Sequence, residues 1–92
     1  MKNKIKKIHF IGIGGSGMSG VAEVMHNLGF NISGSDSASS KVTRELKKMG
    51  IKISNKHDPR NVNNADVIVI SSAISKRNIE LKAGQKKYSN NS

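Results

Sequence analysis

The sequence predicts a single small α/β domain in which helices cover both faces of a doubly wound parallel sheet, making three layers. Three observations lead to this fold class. Short apolar runs of strand length alternate with stretches whose apolar residues recur at helical spacing. A cluster of five glycines, within residues 12–20, joins the first apolar run to the first helical stretch. The resulting order of elements, β-α-β-α-β-β-α, requires right-handed crossovers between parallel strands.

The first strand–helix unit occupies residues 7–29. Its strand is the apolar run KIHFIGI, residues 7–13, which leads into the glycine cluster. A helix is predicted to begin at Ser16 and to end before Gly29, because glycine suits the left-handed conformation that often follows a helix. The predicted inward face of this helix consists of apolar residues at helical spacing: Met18, Val21, Ala22, Met25 and Leu28.

A second strand–helix unit follows in residues 30–50. A short strand is predicted at 30–33, and a polar loop at 34–40 ends in serines suited to cap a helix. The helix is predicted at 41–50, with Gly50 as its stop. Its predicted inward residues are Val42, Leu46 and Met49.

The second half of the chain contributes two further strands and one helix. A third strand is predicted at 51–54, and a loop or one short turn at 55–64 surrounds the only proline. Residues 65–74 contain a continuous apolar run, Val67–Ile70, which is typical of a strand buried on both faces. A final helix is predicted at 76–87, weakened by one internal glycine.

The composition limits the classes of function. With 16 Lys and Arg against six Asp and Glu, the formal net charge is +10, which invites a nucleic-acid interpretation. Most of these cations are lysines spread along the chain, and one Tyr and two Phe offer almost nothing on which bases could stack. A solvated Lys-rich surface is therefore favoured, and no nucleic-acid partner is expected. Because the chain has no cysteine, neither a disulfide nor a Cys-based metal site is expected.

No targeting or membrane segment is apparent in the sequence. The apolar runs are far shorter than a membrane span. The basic N-terminus lacks a long apolar core and leads directly into the first strand, so it is not interpreted as a signal peptide. A cytoplasmic protein without a membrane partner is expected. The domain is assigned to residues 1–88, with 89–92 as a polar tail.

The glycine cluster carries the first candidate site. Gly12, Gly14 and Gly17 match the pattern G-x-G-x-x-G between a strand and a helix, as in Rossmann-like nucleotide-binding folds. In those folds the first glycine permits a tight turn, the second lets a diphosphate approach the backbone, and the third allows close packing of the helix. The helix N-terminus then presents N–H groups and a positive dipole to the phosphates. The alternative interpretation is a tight strand-to-helix turn without a ligand.

Polar residues after the second and fourth strands are the other candidates. Asp36 follows the second strand, where an acid can accept hydrogen bonds from a ribose. Gly34 and Ser35 before it suggest an open approach, so that a ligand reaches deeper than a ribose edge; the alternative is a surface acid that caps the next helix. Ser71 and Ser72 follow the fourth strand, where they either bond phosphate or sugar or cap the following helix.

The residues around these positions, and not only their spacing, resemble the Mur ligase family. The stretch HFIGIGGSGMSGVAEVMHNLGFNISGSD, residues 9–36, looks like the start of the family branch that joins L-alanine to UDP-N-acetylmuramic acid in peptidoglycan synthesis. ADVIVISSAI, followed by NIEL, is similar to a later signature of the same family, and the resemblance spans about residues 5–83. It implies an N-terminal Rossmann-like domain that holds UDP-N-acetylmuramic acid.

The resemblance also implies which residues contact that substrate. The diphosphate would lie against the glycine loop, the uridine against Asp36, and the segment after the fourth strand would line the same crevice. The implied substrate-binding residues are Gly12, Gly14, Gly15, Ser16, Gly17, Met18, Asp36, Ser71, Ser72 and Ala73. His9 is expected to pack within its strand or to bond the backbone. His57 lies where the family often has Gly-His, and Lys56 replaces that glycine.

The family further implies groups that this sequence does not contain. A central domain of the family binds ATP and Mg²⁺ at a loop of the type G-T-H-G-K-T, and a C-terminal domain brings L-alanine; no G-K-[ST] occurs here. The chain is therefore expected to act as a substrate-binding domain without a catalytic residue, metal or cofactor of its own, and to depend on the missing domains as partners. The alternatives are a generic NAD(P)-binding domain and a non-catalytic remnant that binds a UDP-sugar.

Overall fold

The computed structural model describes residues 5–89. Within this part of the chain, strands and helices follow one another in the predicted order, with one 3-10 helix between the last two strands. The bounds are β1 (Lys7–Ile11), α1 (Met18–Asn27), β2 (Asn31–Ser35), α2 (Lys41–Lys48), β3 (Lys52–Ser54), the 3-10 helix (Pro59–Val62), β4 (Val67–Ile70) and α3 (Ile79–Ser89). β3 and the 3-10 helix lie within the residues predicted for a third strand and a short turn.

The four strands form one parallel sheet in the order β3-β2-β1-β4. α1 and α2 pack on the face that carries Ile8 and Phe10, whereas α3 lies on the face that carries His9. This arrangement confirms the doubly wound, three-layer fold. The chain runs outward from β1 through β2 to β3, and it then crosses back to place β4 on the other side of β1. The carboxyl ends of β1 and β4 therefore flank the kind of crevice that binds ligands in open α/β sheets.

The apolar core lies between the sheet and the layer formed by α1 and α2. Successive side chains of a strand face opposite sides, so alternate strand residues point into this core. Its buried members are Ile8, Phe10, Ile13, Ala22, Ile32, Leu46 and Ile51. On the other face of the sheet, buried apolar residues share the interior with His9, Ser35 and Glu80. The layer between the sheet and the helices α1 and α2 is thus apolar apart from Thr43, and the other layer is partly polar.

Only one stripe of α1 faces the core. Ala22 is buried, and Met18 and Met25 pack against the core beside it. Val21 and Leu28, which were predicted to point inward, are 50% and 67% exposed. The buried stripe follows a spacing of four and then three residues, and the other two apolar residues lie beyond its edge.

α2 turns a threonine toward the core in place of the predicted valine. Thr43 is buried with Leu46, whereas Val42 is 37% exposed. A capping box holds the start of the helix: Ser40 Oγ accepts from the N–H of Thr43, and Thr43 Oγ1 accepts from the N–H of Ser40. The predicted serine cap is therefore confirmed. Gly50 follows the helix with a φ of 97°, as its predicted role as a stop requires.

β2 extends two residues beyond its predicted end, through Gly34 and Ser35. Both residues pair with β1 on one side and with β3 on the other, so the sheet continues where a polar loop was predicted. A Cβ on Gly34 would overlap Ile13, whose own Cβ lies 2.7 Å from that position. Gly34 is therefore needed for close packing, and the expectation that it opens a path for a ligand is wrong.

β4 has its predicted bounds but is not buried on both faces. Within the described residues it pairs only with β1, and Ile70 at its end is 42% exposed. An edge strand lacks a neighbour on one side, so its side chains are less covered than those of a central strand. α3 begins later than predicted, because Asn78 caps it: the Asn78 Oδ1 accepts from two N–H groups of the first turn. No helix in residues 5–89 is long and apolar enough to cross a membrane.

Candidate functional site

The loop after β1 and the segment after β4 meet at the crevice between these strands. The N–H of Ser71 donates to the carbonyl of Ile11 over 3.0 Å. A Cβ placed on Gly12 would lie 3.0 Å from both Ser71 Cβ and Ile74 Cδ1, so the two segments are in close contact. Candidate residues that are far apart in the sequence therefore share one end of the sheet.

The glycine loop makes a tight turn that leads into α1. Gly12 and Gly17 have φ angles of 79° and 78°, a conformation that residues with side chains rarely adopt. The N–H groups of Gly12 and Ile13 donate to the carbonyl of Ser35 (2.8 and 3.1 Å), which fixes the turn to the end of β2. Gly17 is the N-cap of α1, so the helix begins two residues later than predicted. A Cβ on Gly17 would meet nothing within 4 Å, so this glycine serves its backbone conformation and not close packing of the helix.

Asp36 contacts the middle of the glycine loop. Its Oδ2 accepts a hydrogen bond from the N–H of Gly14 (2.9 Å), and its Oδ1 accepts one from the N–H of Ala38 (3.0 Å). A Cβ on Gly14 would lie 2.9 Å from Asp36 Oδ2 and 3.0 Å from Thr43 Cγ2. Side chains of the protein itself thus fill the space that this glycine leaves. Asp36 does not cap α2, since Ser40 does, and that alternative is wrong.

The N-terminus of α1 is exposed and positively polarised. Among the described residues, the N–H groups of Ser16 and Gly17 make no hydrogen bond, and α1 has neither a side-chain cap nor an acid in its first turn. The N–H of Gly15 donates to the carbonyl of Gly12 (2.9 Å), and the N–H of Met18 donates to the carbonyl of Gly15 (3.0 Å). Ser16 and Gly17 therefore offer the N–H groups that an anion could take, where the helix dipole also favours negative charge.

The segment after β4 is partly exposed. Ser71 is buried, and its Oγ accepts from the N–H of Ala73 (3.2 Å), whereas Ser72 and Ala73 are exposed. A Cβ on Gly15 would lie 3.0 Å from Ser71 Oγ, which places this hydroxyl beside the glycine loop. The serines do not cap α3, because Asn78 does, and the capping alternative for them is wrong.

A buried acid that the sequence analysis missed is linked to this site. Glu80, in the first turn of α3, is fully buried, and its carboxylate accepts hydrogen bonds from three parts of the chain. The donors are His9 Nε2 (2.7 Å), Ser35 Oγ (2.7 Å), His57 Nδ1 (3.2 Å), the N–H of Asp58 (3.0 Å) and Asn61 Nδ2 (2.9 Å). Burial raises the pKa of Glu80, but the hydrogen bonds outweigh that effect and hold the pKa at about 2. The carboxylate is therefore ionised at neutral pH.

Both histidines considered in the sequence analysis belong to this buried cluster. His9 is buried, as expected, but its ring bonds side chains and not the backbone: Nε2 donates to the ionised Glu80, and Nδ1 lies 2.8 Å from Ser33 Oγ. His57 Nδ1 lies 3.1 Å from Ser35 Oγ and 3.2 Å from Glu80 Oε2. The motif NIEL contained the signal for Glu80, because this acid is one of only six in the chain and stands near the start of a predicted helix.

Within residues 5–89, the polar groups outside the crevice and the Glu80 cluster form no second site of comparable order. No group of three or more His, Asp or Glu side chains in residues 5–89 could hold a metal ion. A cleft of about 270 Å³ is lined by Lys7, Lys52 and Arg60, among others. Arg60 is paired with Asp58 (2.8 Å), and the two lysines are exposed to solvent. This cleft therefore carries positive charge, and the polar groups of its wall that are held in place, such as His9 and Asn61, belong to the Glu80 cluster.

The fold and the loop together define a class of protein: an open parallel α/β domain with a glycine-rich turn after its first strand, at the switch point of the sheet. Comparison with known proteins is more specific. Residues 7–90 match the family described as "Mur ligase family, catalytic domain". The chain therefore belongs to the Mur ligase family, and the resemblance seen in the sequence is confirmed.

Individual relatives point to one branch of this family. The chain is 58% identical over 80 residues to the UDP-N-acetylmuramate–L-alanine ligase of Psychrobacter arcticus, and 55% identical over 80 residues to that of Ruthia magnifica subsp. Calyptogena magnifica. Each alignment covers 87% of this chain and 17% of the relative. The crystal structure of UDP-N-acetylmuramate-alanine ligase from Thermotoga maritima matches with a TM-score of 0.84 at 34% identity, covering 89% of this chain and 19% of that one. The chain thus spans less than a fifth of the length of these relatives.

Proposed function

We propose that this chain binds the UDP part of UDP-N-acetylmuramic acid, as the N-terminal domain of an ATP-dependent ligase that joins L-alanine to that substrate. The observation that carries this proposal is the identity of 51–58%, over 80 residues or more, to proteins named UDP-N-acetylmuramate–L-alanine ligase. This identity extends over nearly the whole fold. The sequence identity therefore favours UDP-N-acetylmuramic acid as the ligand. The glycine spacing alone would fit NAD(P) equally well.

The geometry of the loop supports a specific mode of binding. The diphosphate lies at the start of α1, where the N–H groups of Ser16 and Gly17 are unbonded and exposed. Asp36 faces the uridine. Its carboxylate already accepts from Gly14 and Ala38, and because an ionised carboxylate has about four acceptor positions, it can accept further hydrogen bonds from a ribose or a base. The segment after β4, with Ser72 and Ala73 exposed, forms the other side of the crevice.

Isothermal titration calorimetry of the purified chain tests this proposal. UDP-N-acetylmuramic acid, UDP, inorganic pyrophosphate, NAD and NADP are titrated separately. We expect binding of UDP-N-acetylmuramic acid and weaker binding of UDP, with pyrophosphate weakest of these three. Tighter binding of NAD or NADP than of the UDP-sugar would contradict the proposal and favour a generic dinucleotide-binding domain.

We also propose that ATP and Mg²⁺ act in another part of the ligase. Phosphoryl transfer relies on a loop that cradles the phosphates, its Lys and the metal ion. This sequence contains no G-K-[ST], and the loop from Gly12 to Gly17 carries no Lys. The residues present therefore do not fit a site for ATP and Mg²⁺. The contribution of this chain is to hold the UDP-sugar while other domains supply the reacting groups.

Phosphate release measures whether the chain needs those domains. The purified chain is incubated with UDP-N-acetylmuramic acid, L-alanine, ATP and Mg²⁺, and no alanine-dependent phosphate release is expected. A full-length relative is the positive control. Release above the buffer control, from a preparation free of host ligase, would contradict the proposed division of labour.

A further inference from the structure

Glu80 is an unusual group to find inside a domain of this size. A buried carboxylate is costly unless its hydrogen bonds replace the lost water. Here the bonds come from β1 through His9, from β2 through Ser35, and from the segment before and within the 3-10 helix. No buried side-chain N or O in the described residues lacks a partner, so the cluster is complete. Such a network holds its members in one arrangement.

One of these bonds leads directly to the glycine loop. Ser35 Oγ donates to Glu80 Oε1 (2.7 Å), while the carbonyl of the same serine accepts from Gly12 (2.8 Å) and Ile13 (3.1 Å). The next residue, Asp36, accepts from the N–H of Gly14 (2.9 Å). Three consecutive N–H groups of the turn are therefore held by two residues, and the first of these residues is tied to Glu80.

The other end of the connection is α3 and the segment that precedes it. Asn78 caps this helix by accepting from the N–H of Glu80 (2.8 Å), so the acid is fixed at the helix start. The same segment begins with Ser71 and Ile74, which contact Gly12 across the crevice. Glu80 thus joins the two sides of the crevice through the interior of the protein.

A nucleophilic role does not fit this cluster. Ser35, His57 and Glu80 are the residue types of a hydrolase triad, but Ser35 is fully buried and donates its own proton to the acid. A serine nucleophile has to reach a substrate and to give its proton to the histidine. The arrangement serves to hold atoms in place.

We infer that Glu80 is a positioning residue: through Ser35 it holds the glycine loop and Asp36 in the geometry that receives the UDP-sugar. This inference rests on the proposed function only in naming the ligand. The connection between Glu80 and the loop is independent of it. It predicts that loss of the carboxylate weakens ligand binding by more than the accompanying loss of stability explains.

The test compares Glu80→Gln and Ser35→Ala with Val62→Ala. Val62 is a buried apolar residue of the same layer whose side chain makes no hydrogen bond, so its truncation lowers stability without breaking the connection. Glu80→Gln leaves one acceptor oxygen for five donors and removes the charge, whereas Ser35→Ala removes the connecting hydroxyl. At a temperature where all three variants are folded, these two variants should each bind UDP-N-acetylmuramic acid about tenfold more weakly than the parent chain. Val62→Ala should bind as the parent does. Equal affinity of Glu80→Gln and Val62→Ala would overturn the inference.

The double variant shows whether Glu80 acts through Ser35. If it does, Glu80→Gln together with Ser35→Ala binds about as weakly as either single variant. If the fold-loss of affinity in the double variant were the product of the two single losses, Glu80 would not act through Ser35. Should Glu80→Gln fail to fold, Ser35→Ala against Val62→Ala decides the question alone.

Amide NMR of the free chain separates this inference from the proposed function. The N–H signals of Gly12, Ile13 and Gly14 should shift and exchange faster in Glu80→Gln and Ser35→Ala, but not in Val62→Ala. If the parent chain bound no UDP-sugar, the proposed function would fail, whereas these signals would still report on the connection. Unchanged signals in both cluster variants would overturn it.

Discussion

At the scale of single residues, Asp36 shows how one side chain serves both the loop and a ligand. Its two oxygens each accept one backbone hydrogen bond, from Gly14 and from Ala38, and this leaves acceptor capacity unused. Asp36→Asn retains an oxygen for Gly14 but removes the charge. We expect it to weaken UDP-N-acetylmuramic acid by roughly 1–3 kcal/mol and to leave inorganic pyrophosphate unchanged or slightly tighter, as measured by calorimetry.

The control for this variant is Ser37→Ala, because Ser37 is exposed and makes no hydrogen bond in the structure. It should bind both ligands as the parent does. If Asp36→Asn weakened pyrophosphate as much as the UDP-sugar, its carboxylate would act on loop structure and not on the uridine.

Two glycines of the chain should respond to alanine in opposite directions. Gly34→Ala places a methyl group against the side chain and Cβ of Ile13, and we expect a loss of roughly 1–3 kcal/mol in the free energy of unfolding. Gly20→Ala lies within α1, where a Cβ would meet nothing within 4 Å, and should gain about 0.5–1 kcal/mol. Urea denaturation measures both. A Gly34→Ala variant as stable as the parent would show that Ile13 can move to accommodate the added methyl group.

At the scale of elements, α2 depends on its first residues. Because the capping box satisfies two N–H groups at the helix start, Ser40→Ala should lower the free energy of unfolding by about 1 kcal/mol. Ser39→Ala is the matched control, since Ser39 is an exposed neighbour without a hydrogen bond, and should change stability little. Equal stability of the two variants in urea denaturation would argue against the cap.

Several element boundaries were predictable from local signals, but the Asn78 cap of α3, which is equally local, was missed. The Ser40 cap and the glycines after α1 and α2 act within one turn of the helix they end, so the sequence shows them directly. The end of β2 was not predictable in this way. Gly34 and Ser35 look like a loop in sequence, but hydrogen bonds to strands on both sides make them part of the sheet.

At the scale of the whole molecule, Glu80 links the stability of the fold to pH. Its pKa is lowered from an ordinary 4.5 to about 2, so its contribution is fully present above pH 4.5 and is lost as the pH falls towards 2. The titratable groups that face it are His9 and His57. We expect unfolding free energy, measured in urea, to fall across this range by roughly 3 kcal/mol on account of this group.

The control for this acid transition is Asp58→Asn. Asp58 also has a pKa lowered to about 2, chiefly by its hydrogen bonds from Arg60, but it lies at the surface and should matter much less. On acidification, the unfolding free energy of the Asp58→Asn variant should fall by nearly as much as that of the parent. If it abolished that loss, the transition would belong to the surface pair and not to Glu80.

The charge of the whole chain gives a separate prediction. A net charge of +10 on 92 residues repels itself, and salt screens that repulsion. Raising NaCl from about 20 mM to about 200 mM shortens the screening length to below ~10 Å and should raise Tm by a few degrees. The matched comparison is the same salt series with a relative whose net charge is close to zero. A Tm that falls with NaCl would contradict the prediction.

The sequence by itself determined the order of elements, the parallel doubly wound class, the glycine turn and the family. These follow from features that act over a few residues: apolar periodicity, helix caps and the requirement for glycine at a positive φ, as at Gly12 and Gly17. Whole blocks such as IHFIGIGGSGMSG could then be matched to a family because they combine these requirements in a fixed order.

Only the tertiary structure decided which distant residues meet. Glu80 binds Ser35 and His9, which precede it by 45 and 71 residues, and nothing near Glu80 in the sequence indicates either partner. The burial of Gly34 against Ile13 and the bond from Gly14 to Asp36 are contacts of the same kind. Their physical reason is shared: sheet order and register place distant parts of the chain side by side. Only that placement packs Ile13 against Gly34 and brings to each buried polar group the partner that replaces the water lost on burial.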